Sequence, residues 1–343
     1  MLYPIMRSLL FTIDAEKTHD LTLSWLKKIE RSPLKCLLTQ ATVSDPIQLL
    51  GLTFPNRLGL AAGLDKNGEC IDALAALGFG HIEVGTVTPR AQPGNPKPRL
   101  FRLTKVNALI NRFGFNNRGV DYLIENIKNT NFDGILGINI GKNFDTPVEK
   151  ATDDYISCLQ KVYPYASYIT VNISSPNTAD LRQLQFGEAL QHLLSEIKKQ
   201  QQALSTQYHM KVPILIKIAP DLSDEEITSL VATFKKYEVD GVIATNTTFS
   251  RKGVEGQEFA EEIGGLSGAP LFDASTKLLE KFCKQVDGAF PVIGVGGIDS
   301  ADKAQAKIDA GASLVQIYSG FIYEGPSLIS DVAEYLKIKN ANQ

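Results

Sequence analysis

Five asparagines, Asn111, Asn139, Asn172, Asn177 and Asn246, stand beside glycines and hydroxyl residues at or near the ends of short apolar runs. Each amide carries both a donor and an acceptor. A fixed array of them suits a planar heterocycle with alternating C=O and N–H edges, such as a pyrimidine or a flavin ring. One such asparagine alone reads as a turn or cap residue; the set is harder to dismiss. Lys66 and Lys217 close two different runs and suit an anion. Gly264-Gly265-Leu266-Ser267-Gly268, Gly296-Gly297 and Tyr318-Ser319-Gly320 leave backbone N–H groups bare, as a phosphate requires. No histidine or cysteine neighbours these positions, so a protease-type nucleophile with its base is not indicated. The four cysteines (Cys36, Cys70, Cys158, Cys283) and four histidines (His19, His81, His192, His209) form no cluster. No disulfide framework and no metal site is therefore expected, and the pattern fits a reducing compartment.

These residues need a scaffold that brings distant strand ends together. Eight β-rich apolar runs supply it: Arg57–Ala62, His81–Gly85, Gly134–Asn139, Tyr168–Ile173, Pro213–Ile218, Gly241–Thr245, Pro291–Val295 and Leu314–Tyr318. Helical stretches separate them, at Asn67–Leu77, Val120–Lys128, Asp153–Val162, Glu188–Gln202, Asp224–Tyr237, Ala274–Val286 and Ala301–Ala310, with Leu328–Leu336 after the last run. Continuously apolar strands alternating with helices predict a buried parallel sheet, and eight units closing on themselves make a (β/α)8 TIM barrel. The alternative is an open doubly wound sheet, but no Gly-x-Gly-x-x-Gly turn follows the first strand. Nearly every run ends in a polar residue or glycine, and a barrel gathers all eight ends on one face. The stretch between the second and third runs holds Pro89, Pro93, Pro96 and Pro98 and is too long for a plain crossover. It predicts an inserted ribbon over the barrel mouth.

With 43% hydrophobic and 21% charged residues in a chain of 343, a large core is available and wholesale disorder is excluded. A formal net charge of −3 argues against nucleic acid as a partner. No apolar run approaches the roughly 18 residues of a membrane span. The first 40 residues differ from the rest, with six Lys/Arg against four Asp/Glu, a net of +2. Ile5, Met6, Leu9, Leu10, Phe11 and Ile13 precede a turn at Asp14, a candidate N-cap. A second helix follows with Leu21, Trp25, Leu26 and Ile29 on one stripe, then a short apolar stretch of Leu34, Leu37 and Leu38. Lys27, Lys28, Arg31 and Lys35 sit around its end. The segment lacks the order of a secretory signal. It reads either as a helical cap on the barrel or as a basic amphipathic pair lying on a membrane surface. Apolar residues on more than one face favour the second. The division expected is a small N-terminal helical extension at residues 1–43 and a barrel at 44–343.

At the strand ends the sequence resembles the dihydroorotate dehydrogenases, specifically their membrane-associated, quinone-dependent class. The stretches that carry this are LGLAAGLDKNGEC (58–70), VGTVTPR (84–90), NRFGFNN (111–117), GINIGKN (137–143), VNISSPNT (171–178), KIAPD (217–221), GVIATNTT (241–248), GGLSG (264–268) and GASLVQIYSGF (311–321). The resemblance implies one FMN per chain in the barrel mouth, its phosphate against Gly268, Gly297, Tyr318 and Ser319. Ala62, Gly63, Lys66, Thr86, Asn139, Asn172, Lys217 and Thr245 would surround the rest. It places dihydroorotate against Lys66, Asn111, Arg112, Phe113, Gly114, Phe115, Asn172, Asn177, Asn246 and Thr247. Ser175 occupies the position of the base, where the soluble class has cysteine. The base takes a proton from C5 while C6 gives a hydride to the flavin, yielding orotate for pyrimidine (UMP) synthesis. A lone serine is a poor base, so Thr178 or water is expected to relay the proton. The N-terminal helices would form a tunnel for ubiquinone or menaquinone, with His19, Arg102 and Tyr318 at its inner end. His19 alone would read as a cap or core residue. The implied setting is peripheral, on the cytoplasmic face of the inner cell membrane, as a monomer. Deleting residues 1–40 should then stop quinone turnover and spare flavin reduction by dihydroorotate.

Three rival readings remain. A soluble dihydroorotate dehydrogenase using fumarate or NAD fits poorly with serine at 175 and with the helical extension. Another flavin-dependent barrel oxidoreductase would make the asparagine array coincidental. A non-catalytic flavin- or phosphate-binding barrel docked on membranes would keep the glycine loops but has no need for Ser175.

Overall fold

The computed structural model describes residues 3–30, 32, 36, 39–178 and 181–341; Arg31, Leu34, Lys35, Leu37 and Leu38 lie outside them. Two helices come first, α1 (Tyr3–Leu10) and α2 (Ala15–Glu30), followed by the short strands β1 (Ile47–Leu49), β2 (Leu52–Phe54) and β3 (Leu58–Leu60). The chain continues through α3 (Ile71–Ala75), β4 (His81–Val87), β5 (Leu100–Leu103), β6 (Ala108–Asn111), α4 (Val120–Lys128), β7 (Ile135–Ile140), α5 (Ala151–Val162) and β8 (Tyr168–Asn172). Next are α6 (Gly187–Tyr208), β9 (Ile214–Ile218), α7 (Asp224–Lys236), β10 (Gly241–Ala244), β11 (Gly265–Gly268) and α8 (Phe272–Val286). The chain ends with β12 (Val292–Val295), α9 (Ala301–Asp309), β13 (Leu314–Ile317), α10 (Ser319–Glu324) and α11 (Ser327–Ala341).

Strands β3, β4, β7, β8, β9, β10, β12 and β13 pair in parallel and close into a barrel, each at one of the eight expected runs. Every residue of β9 is buried, as a strand covered on both faces requires. The helices around it are amphipathic. In α7, Ile227, Leu230, Val231 and Phe234 are buried, and Ser223 with Glu226 closes a capping box at its start. The helix expected over Asn67–Leu77 shrinks to α3. Asp65 draws the backbone N–H groups of Asn67, Glu69 and Cys70 onto its buried carboxylate at 3.3, 2.9 and 2.7 Å, holding that stretch as a loop.

The expected ribbon is present as β5–β6, antiparallel, and β11 joins it as a third strand with Gly265 opposite Asn111. The far end of the barrel is closed by the hairpin β1–β2. Leu50 and Gly51 both take positive φ in its turn, and Phe54 packs on Tyr168, Leu215, Ile243 and Leu314. Asp14 does cap α2, accepting from the Lys17 N–H at 3.0 Å. Helix α1 buries none of its residues.

Candidate active site

The eight strand ends open into a cavity with both polar and apolar walls. Most of the residues singled out above line it. They are Ala62, Gly63, Lys66, Thr86, Asn111, Phe113, Gly114, Phe115, Asn172, Ser175, Asn177, Lys217, Thr245, Asn246, Thr247, Gly268, Gly297, Tyr318 and Ser319. Two others sit elsewhere. Asn139 is fully buried behind the wall. The Arg112 side chain turns away, to Glu262 Oε2 at 2.6 Å and the Ile263 carbonyl.

One side of the mouth is bare backbone. A Cβ at Gly297 would lie 2.4 Å from Phe272 Cα, and one at Gly268 2.2 Å from the Asn107 carbonyl oxygen. Both take positive φ, so only glycine serves there. Ser267 and Ser319 add hydroxyls, 2.8 Å apart. That wall offers donors and no negative charge.

The opposite side is an oriented chain of amides. Glu83, buried inside the barrel, accepts from Asn139 Nδ2 at 2.7 Å, Tyr168 Oη at 3.0 Å and Gln316 Nε2 at 3.0 Å. Asn139 thus turns its oxygen toward Thr86 Oγ1 at 2.5 Å, and Thr86 accepts from Asn172 Nδ2 at 3.0 Å. Asn172 Oδ1 then faces Asn246 Nδ2 at 3.3 Å. A carboxylate that only accepts, at the base of this chain, sets the direction of every amide above it. Asn177 Nδ2 completes the array on Asn111 Oδ1 at 3.1 Å. Gln316 Oε1, buried, has no partner.

Charge enters through the two lysines. Burial, reinforced by Arg99, pulls Lys66 down to about 8, against the opposing charges of Glu16, Asp20 and Asp65. Burial also lowers Lys217, partly offset by Glu83. Ser175 is buried, and its Oγ accepts from the Asn177 N–H at 3.2 Å. Thr178, two positions beyond Asn177's neighbour Pro176, has a buried hydroxyl with no partner.

A second cavity lies between α1, α2 and the barrel. Its lining is mostly apolar, including Leu10, Leu23, Trp25, Leu26 and Ile29. His19, Arg102 and Tyr318 are among its few polar residues, and Tyr318 lines both cavities. Burial, with the Lys66 charge, pushes His19 down to about 3, so its ring is neutral; burial pushes Tyr318 up to about 12. Arg102 lies over the Phe11 ring at 4.5 Å and donates to the Ile13 carbonyl, while its buried Nη1 has no partner.

Ser267, Gln316 and Glu83 had not been singled out. The signal for the last two was a polar residue inside an otherwise apolar strand, which points into the barrel when its neighbours point out. Ser267 carried only the glycine-rich loop around it.

The dihydroorotate dehydrogenase family model matches residues 46–339. A relative named dihydroorotate dehydrogenase (quinone) from Cronobacter sakazakii is 57% identical, covering 98% of this chain and all of its own. One of the same name from Escherichia coli O1:K1 / APEC is 55% identical over the same shares. Among solved structures, dihydroorotate dehydrogenase from Eimeria tenella in complex with ferulenol aligns with a TM-score of 0.86 at 36% identity, covering 96% of this chain and 92% of that one. The polar mouth, the apolar cavity beside it and this full-length likeness lead to one conclusion: the chain belongs to the dihydroorotate dehydrogenase family, alongside the members named for a quinone acceptor.

Proposed function

We propose that this protein oxidises dihydroorotate to orotate with FMN in the barrel mouth, and passes the electrons to a quinone held between the N-terminal helices. The observation that carries the reading is the single residue Tyr318, which lines both the polar mouth and the apolar cavity. A hydrophilic substrate and a hydrophobic acceptor can thus approach one cofactor from two sides without meeting.

The residues fit a flavin mononucleotide. The glycine wall at Gly268 and Gly297, with Ser319, offers N–H groups to a phosphate where a Cβ would not fit. The oriented amides and the unpartnered Gln316 oxygen suit a ring with alternating donors and acceptors. When bound, FMN supplies a hydride acceptor for C6 of the substrate and an electron donor for the quinone. Lys217 places a buried positive charge beside the ring. Lys66, Asn111, Asn172, Asn177, Asn246 and Thr247 hold dihydroorotate, with its carboxylate toward Lys66, while the backbone of 112–115 closes over it. Ser175 takes the C5 proton, and the unpartnered Thr178 hydroxyl is its way out to solvent.

At the other cavity, Arg102 Nη1 is a free donor for a quinone carbonyl, with the neutral His19 ring beside it. Residues 1–43 act as a tunnel and membrane contact and 44–343 as the catalytic barrel. Ile5 and Leu9 are 63% and 67% exposed, and Trp25 is exposed as well, giving these helices an apolar outer face. Among the described residues no helix is long and apolar enough to cross a membrane. We place the protein peripherally on the cytoplasmic face of the inner membrane, as a monomer, serving pyrimidine synthesis.

The test is anaerobic orotate formation with a ubiquinone analogue, fumarate or NAD as acceptor. Turnover with the quinone alone is expected. Turnover with fumarate or NAD would overturn the acceptor, and a flavin that dihydroorotate never bleaches would overturn the substrate.

A further inference from the structure

The most buried ion pair of the N-terminal helices lines neither cavity but packs behind the wall of the barrel mouth. Glu16, in the first turn of α2, is 6% exposed and accepts from Arg99 Nε at 3.1 Å and Nη2 at 2.8 Å. Lys97 Nζ meets the same carboxylate from the outside at 3.1 Å. Burial pushes the Glu16 carboxyl up, but the hydrogen bonds from Arg99 and Lys97 outweigh it and hold the group below its ordinary range.

Arg99 is the hub. Its Nη1 donates to the Pro93 and Asn95 carbonyls at 2.6 and 2.8 Å, and its own carbonyl accepts from the Arg112 N–H at 2.8 Å. Asn95 then reaches the Arg112 carbonyl at 2.9 Å and the Asn177 carbonyl at 3.4 Å through Nδ2, and the Phe113 carbonyl at 3.0 Å through its N–H. Gly94, between them, leaves no room for a side chain: a Cβ would sit 2.2 Å from the Phe113 oxygen. The Arg99 guanidinium lies 5.6 Å from the Phe113 ring, and Lys66 Nζ lies 4.1 Å from that same ring.

We propose that Glu16, acting through Arg99, is a positioning residue of the dihydroorotate site: helix α2 sets both the place of the Asn111–Phe115 and Asn177 wall and the charge of Lys66. The inference rests on the reading that these residues hold dihydroorotate. The geometric half follows from the chain of hydrogen bonds. A buried guanidinium that loses its carboxylate must find new partners, and the carbonyls it now holds belong to the turn behind the wall.

The electrostatic half has a definite sign. The charged groups around Lys66 are Arg99, Glu16, Asp20 and Asp65, with the neutral His19 beside it. Removing the Glu16 charge takes away a group that keeps Lys66 protonated and leaves Arg99 uncompensated. Lys66 then loses its proton at lower pH, while the orotate carboxylate stays anionic. This reverses one expectation from the sequence: deleting residues 1–40 removes Glu16 together with the tunnel, so flavin reduction by dihydroorotate suffers along with quinone turnover.

The experiment is calorimetric titration of orotate into the full-length FMN-loaded protein from pH 6 to 9.5, for wild type and Glu16→Gln. Expected for E16Q is an orotate Kd weakened about tenfold at pH 8, with the alkaline limb moved to lower pH by about one unit. Unchanged affinity and an unmoved limb would overturn the proposal, as would a lowered melting temperature with no change in the limb. Wild-type protein that fails to bind orotate at any pH would instead sink the functional reading beneath it. Should E16Q not fold, Glu16→Asp keeps the charge at shorter reach. Its expected signature is weaker orotate binding at every pH with the limb in place, and wild-type affinity there would equally overturn the proposal.

Discussion

The barrel mouth and the cavity beneath the N-terminal helices share Tyr318, yet they are built from opposite materials. In the mouth, side chains from four strands bond to one another before any ligand arrives, in a directed chain from Glu83 up to Asn246. The second cavity has aliphatic and aromatic walls, one unpartnered guanidinium nitrogen and a histidine kept neutral by burial. A pre-paired polar site rejects a ligand that lacks the matching groups, because its own donors and acceptors are then left unsatisfied. An apolar cavity discriminates by shape and depth alone, at only about 1–3 kcal/mol per methylene. One region therefore specifies a molecule and the other a class.

The sharpest way to break this contrast is to remove Ser175, the proton acceptor proposed for the polar site. Ser175→Ala should slow anaerobic flavin bleaching by dihydroorotate about 10²–10⁴-fold while orotate affinity holds. A wild-type rate in stopped flow would show that Ser175 is not the base. Next in size, Arg102→Ala should raise the quinone KM by about 10–100-fold, the value of a buried hydrogen bond from a charged group, and leave flavin bleaching untouched. Loss on both sides would mean that the two cavities are one site.

Acidity gives a milder test. Burial holds Lys66 near 8, and on the proposed reading its protonated form attracts the substrate carboxylate. The dihydroorotate KM should therefore rise about tenfold per pH unit above roughly pH 8, as that proton is lost. The quinone side should stay flat from pH 5 to 9 in steady-state kinetics, since His19 near 3 stays neutral across that range. A limb near pH 6.5 on the quinone side would contradict the burial of His19. Smallest of all, Leu9→Asp should weaken sedimentation with anionic vesicles by about tenfold. It should shift stability by less than about 0.5 kcal/mol, because Leu9 is 67% exposed and holds nothing in place.

Much of this was legible from residue order. Buried parallel strands cannot hide: the run ending at Ile218 is apolar but for Lys217, and all eight runs entered the barrel. Helix ends read less well wherever a side chain intervened, as Asp65 did in shortening α3. The hairpin that floors the barrel went unread because Leu50-Gly51 is a weak turn signal and its strands have three residues each. The pairing of β11 with β6 joins Gly265 to Asn111, a contact with no local trace. Of the site residues, Arg112 sits in the right segment, but only the position of Glu262 decides where its side chain goes.

Sequence alone determined which residues end each strand and what chemistry they carry, since strand period and apolar runs are local properties of the chain. It also separated a basic, apolar-faced N-terminal segment from the rest. Tertiary structure decided which way each amide points, because that depends on Glu83 at the base of a hydrogen-bond chain linking four strands. It likewise decided that α2 reaches Arg99 and the wall behind Phe113, a pairing between residues 83 positions apart. Direction and distance between remote groups arise only when the chain closes on itself, and here that closure joins the two cavities at Tyr318.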